Sequence, residues 1–152
     1  MTKGSADADI IKSLAVAAAP AKVWRVLTEP ALIARWMTDE LLTVEADWRP
    51  GGRIRFAGRL HGQAFENRGR IIAFSPPTLF EYAFWSTLSA TRLAETAENL
   101  SRVRFLVEPE AAGARLTLTL RDFPEPSMRP HAALFWGATI GIIRDVAELD
   151  EP

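Results

Sequence analysis

"RPHAALFWGATIGIIRDVAELDEP", residues 129–152, is the stretch on which the reading of the fold turns. At about 100° per residue, Phe135, Trp136, Ile140, Ile142, Ile143, Val146 and Leu149 spread over roughly 200° of a helix surface. An ordinary surface helix needs an apolar stripe only about 100° wide. Arg144, Asp145, Glu148, Gly137 and Gly141 share the rest of the circumference. Such a helix has to be held on more than one side, and the remainder of the chain must supply the wrapping.

Upstream of it the hydrophobic period is 2, the signature of half-buried strands. Leu116, Leu118 and Leu120 oppose Arg115, Thr117 and Arg121, and Val103, Phe105 and Val107 oppose Arg102, Arg104 and Glu108. Phe80, Tyr82 and Phe84 form another such run, preceded by the breaker "SPP" at 75–77. Phe65, Asn67, Gly69 and Ile71 alternate with Glu66, Arg68 and Arg70; Ile54 and Phe56 with Arg53 and Arg55; Leu42, Val44, Ala46 and Trp48 with Thr43, Glu45 and Asp47. "RPGG", "GRLHG" and "EAAG" are the turns. Further back, Pro20 opens a short helix carrying Val23, Trp24, Val26 and Leu27, and Pro30 ends it and opens a second with Leu32, Ile33, Trp36 and Met37. A first strand runs from Ile10 to Ala18, after a loose small-residue tail at 1–9. The order predicts an α+β fold of about seven strands in a curved antiparallel sheet with one apolar face. That face needs a cover, and the only long helix is the last.

The chain has 152 residues, one domain over 10–152 by size, without internal repeat or linker. It has no cysteine, which excludes disulfides and thiolate metal sites and fits a reducing cytoplasm. With 18 basic and 19 acidic residues it has no overall attraction to nucleic acid or anionic membrane. No apolar run reaches the length of a membrane span. "KSLAVAAAPA" at 12–21 resembles a signal-peptide core, but Asp7 and Asp9 stand where positive charge belongs, and the segment leads straight into a helix.

"AAAPAKVWRVLTEPALIARWM", "GRIIAFSPPTLFEYAFW" and "SRVRFLVEPEAAGARLTLTLRDFP" resemble the START-like (SRPBCC) superfamily, in the branch named after the C-terminal domain of the activator of heat-shock-protein-90 ATPase. The resemblance implies a helix-grip fold, a sheet clasping the last helix around an internal cavity. Members bind lipids, polyketides or other apolar molecules, and some are cyclases or hydrolase-like enzymes. The branch name implies stress response and a chaperone partner. Two departures stand out: this chain has Leu120 and Asp122 where relatives often carry His and Gly, and Phe135 where a Gly often precedes the tryptophan.

The expected function is therefore binding of an apolar or amphipathic small molecule, with no cofactor and no metal, by a monomer or homodimer. The expected lining is Trp36, Phe56, Phe65, Asn67, Tyr82, Phe84, Phe105, Trp136 and Ile140, because large rigid rings rarely fill an interior completely. Asn67 falls on the inward register, where it either orients a ligand or bonds a neighbouring strand or buried water. Tyr82 poses the same choice. An enzyme of cyclase or hydrolase type using Asn67, Tyr82 or His61 is the alternative, with no catalytic residue assigned. Two distant histidines, 61 and 131, make no metal site. Arg53, Arg55, Arg59, Arg68 and Arg70 form a basic outer face, either simply solvated or open to an anionic protein; the stacking rings that nucleic acid needs lie on the other register. "STLSATRLAETAENL" at 86–100 has helical spacing at Leu93, Ala94, Ala97 and Leu100 and is read as a lid or a loop.

Overall fold

The alternating runs pair in sequence order, each strand hydrogen-bonding to the next along one antiparallel ribbon. The computed structural model describes residues 9–89 and 93–149. The first strand, β1 (Ile10–Val16), is followed by α1 (Pro20–Thr28) and α2 (Pro30–Met37). Six strands then follow: β2 (Leu42–Ala46), β3 (Arg53–Leu60), β4 (Gln63–Ser75), β5 (Leu79–Ser86), β6 (Ser101–Glu110) and β7 (Gly113–Arg121). The chain ends in α3 (Met128–Glu148). The sheet order is β1-β7-β6-β5-β4-β3-β2, so the meander is complete and the first strand closes against the last. The expected α+β helix-grip architecture is the one observed. β1 stops two residues earlier than its composition suggests. Of the expected tail, residues 1–8 lie outside the described ones, while Asp9 is ion-paired with Arg121 at 3.4 Å.

Both short helices begin with proline in the first turn, whose missing N–H would have no intrahelical partner anyway. They are joined from within: the indole N–H of Trp36 donates to the carbonyl of Val26 at 2.8 Å in a buried bond. One side of the sheet carries the core, with Ile54, Phe56, Ile71, Phe80, Tyr82, Val103, Phe105, Leu116 and Leu118 almost fully buried. A bulge between Ile71 and Ala73 changes the phase of β4, so Phe74 also turns inward, opposite Phe80, while Ile72 is left exposed.

The last helix is held over a narrower arc than its composition suggests. Trp136, Thr139, Ile140, Ile143, Val146 and Ala147 are buried, an arc of about 120° at 100° per residue. Ile142 and Leu149 are more than 40% exposed and Leu134 is 78% exposed, so the wider apolar surface is not all gripped. The buried stripe lies between the sheet, the two short helices and β1. At its far end the backbone N–H of Ala17 donates to Glu148 Oε2 at 2.8 Å, and Lys22 Nζ donates to the Leu149 carbonyl, fastening the helix terminus to the β1–α1 corner.

Asp122, just after β7, has φ 62°. Left-handed backbone is free for glycine and costs other residues about 1–2 kcal/mol, somewhat less for Asp. A glycine, which the resemblance implies at this position, would adopt this conformation without strain. Asp122→Ala is expected to destabilise by about 1 kcal/mol. Asp122→Gly should stay within about 0.5 kcal/mol of the parent, because the exposed Arg102–Asp122 pair it gives up is worth little. Urea denaturation of the two variants checks the order.

Candidate functional site

The inward register of β3 to β6 brings the expected residues to one side of the sheet, in two groups of rings. Trp36, Phe105 and Trp136 form a triangle with centroids 5.9–6.2 Å apart, joining α2, β6 and α3. Phe56, Tyr82 and Phe84 form a second group, with Phe56–Tyr82 at 5.4 Å and Tyr82–Phe84 at 5.9 Å. Phe80 links them, 5.4 Å from Tyr82 and 6.1 Å from Phe105. Ile140 lies on the same buried stripe of α3 as Trp136. Phe65 and Asn67 take the neighbouring inward positions of β4, with Asn67 directly across from Phe56 and Ser86.

These rings occupy most of the space between sheet and helix, so the hollow is small. Among the described residues a cavity of about 60 Å³ lies on this side, between β5, β6, β7 and the first turns of α3, while a shallower hollow of about 480 Å³ lies on the outer face beside Ile72, Ala83 and Leu100. Phe84 and Trp136, of the nine expected residues, line the inner cavity together with Ser101, Val103, Leu120, Phe123, Met128 and Ala132. A drug-sized ligand needs roughly 300–1,000 Å³. The added residues were partly readable: Val103 and Leu120 share the inward register, and Met128, Ala132 and Trp136 are four residues apart on one helix face. Phe123 was not, because its direction depends on the left-handed turn at Asp122.

Ser101 brings a hydroxyl to the cavity wall itself, and two further polar groups, Asn67 and Tyr82, lie on the inner face outside that lining. Asn67 Oδ1 is buried and accepts no hydrogen bond. Tyr82 is 3% exposed, and burial in apolar surroundings pushes its phenol well above the ordinary range. Its hydroxyl therefore stays protonated, a donor and not a base. Arg102 contributes to the cavity wall, but its guanidinium lies 3.1 Å from Asp122 and 3.9 Å from Glu81, both on outward-facing or turn positions.

His61 is exposed at the tip of the β3–β4 hairpin, where it and Gly62 both have positive φ, as a two-residue type I′ turn demands. It is not part of the cavity wall. His131 is exposed near the start of α3. Among the described residues no group of three or more His, Cys, Asp or Glu is placed to hold a metal.

Three of the five outer-face arginines, Arg55, Arg59 and Arg68, are engaged with carboxylates, while Arg70 reaches the Gly51 carbonyl at 3.4 Å. Arg55 donates to Glu66 and to Glu45, each at 2.7 Å, and Arg68 meets Glu95 through two bonds of 2.6 and 2.8 Å. The hydrogen bond from Arg55 holds the Glu66 carboxyl below its usual range, and that from Arg68 does the same for Glu95. Trp85 belongs to this face, unlike most of the tryptophans: Arg68 stacks 5.1 Å over its ring, and its indole donates to the Leu93 carbonyl at 3.1 Å. The described parts of 86–100 thus lie over the outer face, away from the cavity, and contain two 3₁₀ turns where a longer helical spacing was expected. The lid reading for residues 90–92 lies outside the described residues.

No helix is long and apolar enough to cross a membrane among the described residues. The family model for activator of Hsp90 ATPase homolog 1-like protein matches residues 17–148. A search of curated proteins found no match. Among solved structures, a protein of Nitrosomonas europaea aligns with a TM-score of 0.76 at 20% identity, covering 99% of this chain and 100% of that one. A Chromobacterium violaceum protein gives 0.76 at 20%, covering 93% and 99%. The Aha1 dimer of Colwellia psychrerythraea, solved in solution, gives 0.72 at 16%, covering 95% and 99%. At these identities the likeness establishes the fold.

Proposed function

The chain belongs to the activator of Hsp90 ATPase homolog 1-like family, and from that fold and the polar atoms left open inside it we propose that the protein binds a neutral amphipathic small molecule between sheet and helix. The observation that carries this reading is the unpartnered Asn67 Oδ1 on a mainly apolar, aromatic inner face, beside the cavity and not in its lining, so that a ligand must widen the space to reach it. A buried acceptor without a partner costs about 1–3 kcal/mol, and a ligand hydroxyl or N–H recovers that cost. Arg102, the guanidinium at the cavity wall, is already paired with Asp122 and Glu81, so an alcohol or phenol fits better than a fatty acid.

Entry requires room. The wall best able to yield is the start of α3, where Met128 and Ala132 line the cavity and Ser127 makes no side-chain cap bond. Emission from Trp36 and Trp136, both in the ring triangle, reports binding. A long-chain alcohol or a naphthol should change it at concentrations where the matching fatty acid does not. Mass spectrometry of gently extracted protein should find a neutral, hydroxyl-bearing molecule. Emission indifferent to both probe classes, with nothing co-purified, would refute the proposal.

Asn67→Leu separates binding from packing. It removes an unsatisfied acceptor, so the empty protein should gain about 0.5–1 kcal/mol while affinity for the alcohol falls roughly tenfold. A purely structural asparagine would lose stability instead. Catalysis in the same space is the weaker reading: Tyr82 is held protonated by burial, and His61 stands apart from the cavity wall. If Tyr82→Phe abolished a turnover while sparing binding, the enzyme reading would gain the lead. A chaperone-docking role, suggested by the family's name, would have to use an outer face whose Arg55 and Arg68 are already engaged with carboxylates.

A further inference from the structure

The apolar surface of α3 that the sheet does not cover has an order of its own. His131, Leu134, Ala138, Ile142 and Asp145 follow one another at spacings of three and four residues, so they fall within an arc of about 80° on the outward side of the helix. All five are exposed, Leu134 by 78% and Ile142 by 43%. The stripe is symmetric about Ala138. If a second identical helix is laid against it antiparallel, Leu134 faces the second copy's Ile142, Ala138 faces its own counterpart, and His131 faces the second copy's Asp145. Every relation occurs twice, as a two-fold axis demands. Parallel pairing would set His131 against His131 and Asp145 against Asp145, losing the donor–acceptor match.

The small residues favour the same arrangement. Ala138 at the crossing point permits close approach of the two axes, near the lower end of the 8–10 Å range. Phe135, half-buried and 5.3 Å from Trp136, falls opposite the second copy's Gly141, where there is no side chain to collide with it. Among the described residues Asp145 pairs with its neighbour Arg144 at 3.2 Å in an exposed contact, which is worth little and readily exchanged.

We infer that α3 is the self-association surface of the protein, pairing antiparallel with α3 of a second copy through Leu134, Ala138 and Ile142, with His131 and Asp145 bonding across the ends. One helix face is small for an interface, so the dimer is expected to be weak and concentration-dependent. The buried stripe with Trp136 and Ile140 faces the other way, and this inference stands or falls separately from ligand binding.

Sedimentation equilibrium of the full chain over a range from micromolar to millimolar tests it. The parent should shift from monomer toward dimer across that range. Leu134→Glu and Ile142→Glu should each weaken association at least tenfold while leaving the circular dichroism and unfolding midpoint near the parent's. His131→Asp should weaken association several-fold, and adding Asp145→His should restore it, because the exchange recreates both end bonds in reverse order. A parent that remains monomeric at millimolar concentration overturns the inference. So does a dimer that survives both glutamate variants, or a charge exchange that fails to rescue.

Discussion

Phe105→Ala lowers the unfolding free energy by about 3–5 kcal/mol, a large share of the roughly 5–15 kcal/mol that keeps a domain folded. Phe105 is 1% exposed at the middle of β6 and is the ring on which three parts of the molecule meet. Trp36 from α2 lies 6.2 Å away edge-on, Trp136 from α3 5.9 Å away, and Phe80 from β5 6.1 Å away and nearly parallel. Its removal costs the transfer free energy of a large apolar group and leaves a void that surrounding tryptophans, fixed by an indole bond and a helix backbone, fill poorly. The measurement is urea or thermal unfolding by circular dichroism. Phe105→Leu, which keeps most of the volume, should recover more than half of the loss. Equal destabilisation by Ala and Leu would mean that the ring's geometry and not its bulk holds the contact.

Gly69→Ala is expected to be nearly as damaging, by a different cause. Gly69 is in the middle of β4, and a Cβ built on it would approach the Ala83 carbonyl carbon to 2.7 Å and the Phe84 Cα to 2.8 Å, with the Ala83 oxygen closer still. All of these are backbone atoms of β5, so nothing can rotate aside. The ribbon must shift, and overpacking of that kind costs 1–3 kcal/mol where side chains can adjust and more where they cannot. The expected loss is about 3 kcal/mol or more, with the β4–β5 ladder amides showing the largest rise in hydrogen exchange. The same substitution at Gly137, where only the end of the Lys12 side chain is within 4 Å, should be neutral or slightly stabilising, since alanine favours helix.

What could be read in the amino-acid order was the alternation itself. Each run of inward-facing residues paired as its period of 2 demands, because one wrong step would have put a set such as Val103, Phe105 and Val107 into water. Three things escaped that reading. The bulge at Ile71 and Ala73 inserts one residue and rephases Phe74, and neither residue type announces it. Trp85 stands out of phase with Phe84, a hint that the outer face was also covered locally, yet its cover is the Leu93 carbonyl and a guanidinium, which no periodicity records. The α3 arc was overestimated because side-chain type does not distinguish Ile143, fully buried, from Ile142, 43% exposed. The candidate site was legible as a set of inward positions. Whether rings at those positions touch or leave space depends on tilts of a few tenths of a radian, and here they touch. That is why the cavity is about 60 Å³, smaller than residue volumes alone would lead one to expect.

The pairing of β1 with β7, Ile10 against Leu120, has a consequence for how the chain is made. A ribosome delivers β1 about a hundred residues before its neighbour, so it must wait, tethered but unpaired, while the strands between them are made. The six later strands can zip together as successive hairpins while the polypeptide emerges, but the inner rings of that nascent ribbon stay bare until the closing helix clears the exit tunnel. At roughly 5–20 residues per second the interval from Arg121 to Glu148 lasts about one to five seconds. During those seconds a holdase has its best opportunity to bind.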